Sequence, residues 1–166
     1  MILNQNEKKT LDIEMIVTPQ IEQNILACLP YGKQFLFVDH IIEVSENHII
    51  GTFQFPETAY YYQGHFTKKA VTPGVLLLEA MGQIGLVCFG VYLFEIYKTG
   101  NNFIPVLSHL EADFLNMVLP GETIKVISEK EYFRNNILKC RIKTINSANE
   151  TIVTSRGICT FKLDII

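Results

Sequence analysis

The period of the apolar positions changes along this chain, and the changes mark its elements. Ile21, Ile25, Leu26 and Leu29 recur at helical spacing. Thr18 suits an N-cap and Pro19 the first helical position, so a short amphipathic helix is expected, stopping at Pro30. Residues 35–44 form a continuous apolar run holding Asp39 and His40, and residues 48–55 alternate imperfectly; with the polar Ser45-Glu46-Asn47 between them they read as antiparallel strands. Residues 75–96 are apolar on nearly every face. That helix is expected to start near Thr72, its cap, with Pro73 as first helical residue, and to end at the basic Lys98-Thr99-Gly100. Residues 104–115, 122–132, 137–145 and 151–163 are rich in β-branched and aromatic residues and are punctuated by Pro120-Gly121, Asn135-Asn136 and the polar 146–149.

A helix that is apolar all round must be wrapped by something large. Four long strands after it can supply the wrapping, so the expected class is α+β, with an antiparallel sheet curled around one central helix. One curled sheet leaves edges and an open face, and a dimer is expected to cover them.

Composition narrows the class. With 166 residues, 48% hydrophobic and 19% charged, the chain reads as one globular domain, residues 18–166, after a polar extension of residues 1–17. A net charge of −3 lacks the basic face that nucleic-acid binding needs. Cys28, Cys88, Cys140 and Cys159 are widely spaced and form no Cys-x-x-Cys pair, so reduced thiols, three of them in apolar runs, are expected rather than a metal site. The N-terminus has no signal-peptide apolar core, and elimination leaves the cytoplasm. Residues 75–96 could pass for a membrane span, but an acid such as Glu79 costs roughly 2.5–3.5 kcal/mol deep in a bilayer, and a buried helix is the better reading.

The chemistry concentrates in the centre. His65 stands in Gly64-His65-Phe66, and Glu79 follows inside the apolar helix. A buried carboxylate is costly unless neutral, paired or used, and a histidine with a carboxylate is what acid–base chemistry at neutral pH requires. Gly74 opens the helix, where backbone N–H groups lack intrahelical partners and a ligand oxygen can approach closely. The Thr72 hydroxyl competes for those N–H groups as an ordinary cap. Gln83 lies one turn beyond Glu79 and can orient it, although a polar stripe reaching solvent or a dimer seam has the same spacing. His40, His48 and His109 read as structural. No Ser-His-Asp elbow, P-loop, dinucleotide fingerprint or zinc helix is present.

These residues resemble the hot-dog-fold 3-hydroxyacyl-(acyl carrier protein) dehydratases of the FabZ type. The resemblance is carried by Leu29-Pro30, Phe35-Leu36-Phe37-Val38-Asp39, Gly64-His65-Phe66, Val71-Thr72-Pro73-Gly74-Val75-Leu76 and Glu79-Ala80-Met81-Gly82-Gln83. Ala112-Asp113-Phe114 and Pro120-Gly121-Glu122 extend it. It implies a hydro-lyase without cofactor or metal that converts a (3R)-3-hydroxyacyl thioester on acyl carrier protein to the trans-2-enoyl thioester and water, in fatty-acid or polyketide/polyene-type synthesis. His65 would be the base and Glu79 the acid, drawn from different subunits of a homodimer or trimer of dimers. The Gly74 N–H would bind the thioester carbonyl, the Val71 carbonyl would hold the His65 ring, and Gln83 would orient Glu79. A carrier protein with a phosphopantetheine-linked chain is the implied partner; nucleic acid and a membrane span are not. The apolar tunnel is expected near Phe66, Leu76 or Phe89. Glutamate, where isomerising relatives carry aspartate, favours plain dehydration. The chain departs from the pattern at Thr67-Lys68-Lys69-Ala70, Tyr31 and Gln34. A hot-dog thioesterase and a non-catalytic acyl-binding module are the alternatives.

Overall fold

The computed structural model describes residues 17–97 and 103–163. Most of the N-terminal extension and the expected basic helix end at 98–100 lie outside these residues. Helix α1 (Pro19–Ala27) starts as expected, with Thr18 Oγ1 accepting from the Ile21 N–H. Six strands follow: β1 (His40–Val44), β2 (His48–Gln54), β3 (Phe103–Phe114), β4 (Thr123–Arg134), β5 (Ile137–Ile145) and β6 (Thr151–Leu163). They form one antiparallel sheet in the order β1-β2-β4-β5-β6-β3.

The apolar helix runs through the middle as α2 (Gly74–Gly82), a π-helical turn (Gln83–Cys88) and α3 (Phe89–Tyr97). By length and apolarity it could cross a membrane, but most of it is buried within the protein. Leu77, Met81, Ile84, Leu86, Phe89 and Leu93 are almost wholly inaccessible, and each such side chain contributes roughly 1.5–3 kcal/mol on burial. Alternate strand residues answer them, including Ile49 and Phe53 on β2, Ile124 and Val126 on β4, and Leu138 and Ile142 on β5. The helix approaches the sheet so closely that glycine is required at the contact. A Cβ on Gly51 would lie 2.8 Å from the Ile84 side chain, and one on Gly90 would lie 2.0 Å from the Phe161 ring.

Two departures from the sequence reading bear on function. The run 35–44 is not one strand, since β1 begins only at His40 and residues 33–35 form a 3-10 turn. The backbone of Phe35 and Phe37 pairs with the side-chain amide of Gln83 instead of a neighbouring strand. The π-helical turn was also not legible. It lies against the sheet, where buried Ser128 Oγ donates to the Gly85 carbonyl at 2.8 Å.

β1 and β3 are the two edge strands, and β3 is the longer and carries exposed apolar residues. It has a bulge between Leu107 and His109, and Leu107 is 52% exposed. Phe114, Leu115 and Met117 continue the exposed apolar strip.

Candidate active site

His65 sits after the 3-10 turn Tyr60–Gln63 in a loop that closes on itself. Its N–H donates to the Tyr61 carbonyl at 3.0 Å, its carbonyl accepts from the Val71 N–H at 3.0 Å, and the Phe66 N–H donates to the Lys69 carbonyl at 3.0 Å. Thr67 to Ala70, where the chain leaves the resembled pattern, therefore form a compact turn that preserves the frame of the histidine. Below it, Thr72 N–H donates to the Val118 carbonyl at 2.8 Å.

The His65 ring is fixed in one tautomer. Nδ1 lies 2.9 Å from the Val71 carbonyl oxygen, which can only accept, so Nδ1 carries the proton and Nε2 keeps the basic lone pair. The neighbouring Phe66 ring stacks on the imidazole with centroids 3.9 Å apart.

The start of α2 differs from expectation in a useful way. Thr72 does not cap the helix, because its hydroxyl is bonded to the Tyr62 hydroxyl at 2.6 Å. Pro73 occupies the cap position, Gly74 is the first helical residue, and no side chain caps the N–H groups there. The ordinary Thr72 cap expected here is therefore absent. Gly74 packs closely on Phe114, since a Cβ there would lie 3.0 Å from its ring, and a larger residue would push that ring aside.

Glu79 projects from α2 into a cavity of about 200 Å³. Its Oε1 accepts from Gln83 Nε2 at 2.8 Å. Gln83 is 0% exposed and fully bonded: Nε2 also donates to the Phe35 carbonyl at 2.9 Å, and Oε1 accepts from the Phe37 N–H at 2.8 Å. A backbone donor and a backbone acceptor together leave the amide only one orientation. The clamp thus fixes one carboxylate oxygen, and the other has no hydrogen-bond partner among the described residues. Gln83→Leu is expected to leave the Phe35 carbonyl and Phe37 N–H unpaired, costing about 2–4 kcal/mol in urea unfolding and lowering turnover as Glu79 loses its orientation.

The cavity wall is mostly aliphatic, with Val75, Leu78, Leu86, Val87, Leu107 and Leu110 around Glu79. Of the residues expected near a tunnel, none is in this wall: Phe89 is buried in the core, Phe66 is exposed beside His65, and Leu76 is half-buried. Periodicity placed apolar residues on the helix but could not say which faced a hollow. Tyr31 is also in the wall, a position sequence reasoning passed over as a loop departure. His65 is not in it. On the edge-strand side the wall is made by Pro105, Leu107 and Leu110 of β3, of which Leu107 is exposed.

Other features are structural. A larger hollow of about 610 Å³ on the outer sheet face is lined by charged residues such as Glu129, Arg141 and Arg156, which are paired in a network through Glu131. Cys88, Cys140 and Cys159 are buried and Cys28 is exposed; burial pushes Cys140 and Cys159 up to about 12, so these thiols stay protonated. Among the described residues no cluster of three His, Cys, Asp or Glu side chains is placed to hold a metal ion.

A family profile described as a FabA-like domain matches residues 29–156. The 3-hydroxyacyl-(acyl-carrier-protein) dehydratase FabZ of Sinorhizobium medicae is 36% identical over 121 residues, covering 70% of this chain and 74% of the relative. The protein of the same name from Sorangium cellulosum is 31% identical over 128 residues, 75% and 79% of the two chains. Among solved structures, the dehydratase heterocomplex ApeI:P from Xenorhabdus doucetiae superposes with a TM-score of 0.71 over 86% of this chain and 92% of that chain, at 12% identity. Thioesterase HI1161 from Haemophilus influenzae gives 0.62 over 87% and 90%, at 17% identity. At such identities the structures speak to the fold alone, and that fold is the hot-dog fold expected from the resemblance.

Proposed function

Because this chain belongs to the FabA-like family and has FabZ dehydratases as relatives, we propose that it is a hydro-lyase acting on (3R)-3-hydroxyacyl chains held by acyl carrier protein. The product is the trans-2-enoyl thioester plus water. The observation that carries this reading is the clamped Glu79 in an aliphatic cavity, paired in the same fold with a histidine whose basic nitrogen is left free by the Val71 bond.

The chemistry follows from these atoms. The thioester carbonyl accepts the Gly74 N–H, where the uncapped helix start favours the negative charge that builds on oxygen. Nε2 of His65 removes the Cα proton, and that electron pair forms the Cα=Cβ double bond as the Cβ–O bond breaks. The free oxygen of Glu79 gives its proton to the departing hydroxyl, which leaves as water. Return of the proton from His65 to the Glu79 carboxylate resets the site. Gln83 and Val71 hold the two groups in place and touch no reacting atom.

The site is completed across a homodimer, with His65 from one subunit and Glu79 from the other. The exposed apolar edge β3 and the strip Phe114, Leu115 and Met117 support a second copy as its cover, since a long unprotected edge strand seeks a pairing partner. A trimer of such dimers is compatible with the same edge. The phosphopantetheine arm enters the aliphatic cavity, with Lys68 and Lys69 beside His65 available to an acidic carrier. The setting is cytoplasmic chain assembly of the fatty-acid or polyketide/polyene type.

One assay tests the activity. With a 3-hydroxyacyl thioester, enoyl absorbance is expected to rise without release of free thiol. Thiol release would establish hydrolysis instead, and neither signal would establish a binding module.

A further inference from the structure

The polar groups in the Glu79 cavity can be counted by what each has left to offer. Gln83 has nothing left for a ligand: its oxygen and both N–H groups are taken by Phe37, Phe35 and Glu79. Cys159 is a weakly polar thiol. Tyr31 remains. Its hydroxyl has no hydrogen-bond partner among the described residues, although its ring stands in the cavity wall with Glu79. Half-buried phenols ordinarily find a partner, and one facing a hollow finds it in whatever fills the hollow.

The placement is built. Tyr31 precedes the 3-10 turn Lys33–Phe35, its ring stands 6.5 Å from that of Phe35, and Phe35 packs edge-on against Phe37 at 5.2 Å. Those are the two residues whose backbone Gln83 holds. The amide that orients the carboxylate therefore also anchors the segment carrying the phenol.

We propose that the Tyr31 hydroxyl is a substrate-binding group that holds the 3-hydroxyl of the acyl chain against Glu79, so that the site selects hydroxylated over saturated chains. This rests on the dehydratase reading of the cavity. Burial raises the phenol well above its usual range, so Tyr31 stays a donor throughout the pH range in which such an enzyme works. As the Cβ–O bond breaks, the phenol remains bonded to the leaving oxygen. A saturated chain would leave the phenol unpaired, and that is the basis of discrimination.

The test uses Tyr31→Phe, which removes only the hydroxyl and keeps the ring. In the Glu79→Gln background, which is to hold substrate unreacted, the dissociation constants of a 3-hydroxyacyl and a saturated acyl pantetheine thioester of equal length are compared. The hydroxylated ligand is expected to bind roughly tenfold more tightly, and adding Tyr31→Phe to abolish that preference by weakening the hydroxylated ligand alone. In the otherwise wild-type enzyme the same change raises KM for the hydroxyacyl thioester. Equal weakening of both ligands would make Tyr31 a packing residue, and an unchanged preference would leave it no role; either overturns the proposal. Turnover by Glu79→Gln itself would instead overturn the site assignment beneath it, so the two failures are read separately.

Discussion

Glu79→Gln is expected to lower kcat roughly 10²–10⁴-fold, the range that a positioned general acid supplies. The substitution preserves volume, and the new amide oxygen can still accept from Gln83 Nε2, so the clamp and cavity wall survive. What is lost is the proton for the departing hydroxyl. His65→Ala is expected to do the same from the other side of the substrate, because the Cα proton then has no base. Its loop keeps the Tyr61, Val71 and Lys69 backbone bonds, none of which involves the imidazole. Enoyl absorbance measures the loss; circular dichroism and size-exclusion chromatography establish that fold and dimer are unchanged. Most of the activity surviving in either variant would rule out the mechanism.

Mixing the two inactive variants is expected to restore activity. In a dimer of one His65→Ala subunit and one Glu79→Gln subunit, one site has lost both groups and the other has both intact. If subunits reassociate at random, half the dimers are mixed and each has one working site of two, so about a quarter of wild-type activity returns. The expectation follows from the proposed division of the site between subunits, which is supported by the absence of His65 from the wall of the Glu79 cavity and by the β3 sheet edge beside that cavity. If both groups served one site within a single chain, no mixture would recover anything. The measurement is turnover after unfolding and refolding the variants together, with each refolded alone as the control.

The relation between sequence and site differs from residue to residue. Glu79 and Gln83 stood out as a carboxylate and an amide in an apolar helix, Gly74 as a helix start that a ligand oxygen could approach, and His65 by its glycine-flanked loop; the resemblance, rather than the local pattern, favoured the functional readings of Glu79 and Gly74. That the Phe114 ring, forty residues away in the chain, packs beside Gly74 was not legible. Val71 was implied only by the resemblance, since a backbone carbonyl carries no mark in its side chain. Tyr31 was passed over because its role depends on a hollow made jointly by α2, β3 and β6. Thr72 was open to two readings, and Tyr62 decided between them by taking its hydroxyl.

By itself the sequence determined the order and type of the elements, since burying one face or all faces of an element imposes a periodicity that survives in the list of residues. It therefore specified a helix wrapped by antiparallel strands, and it put forward His65 and Glu79 as the candidates for moving protons. Only the tertiary structure decided that residues 35–37 bond to Gln83 rather than to a strand, and that a π-helical turn lies at the helix centre. Each of these is a choice of partner among groups far apart in sequence. A hydrogen-bonding group shows in its residue type that it needs a partner, but which partner it finds is settled when the chain is packed.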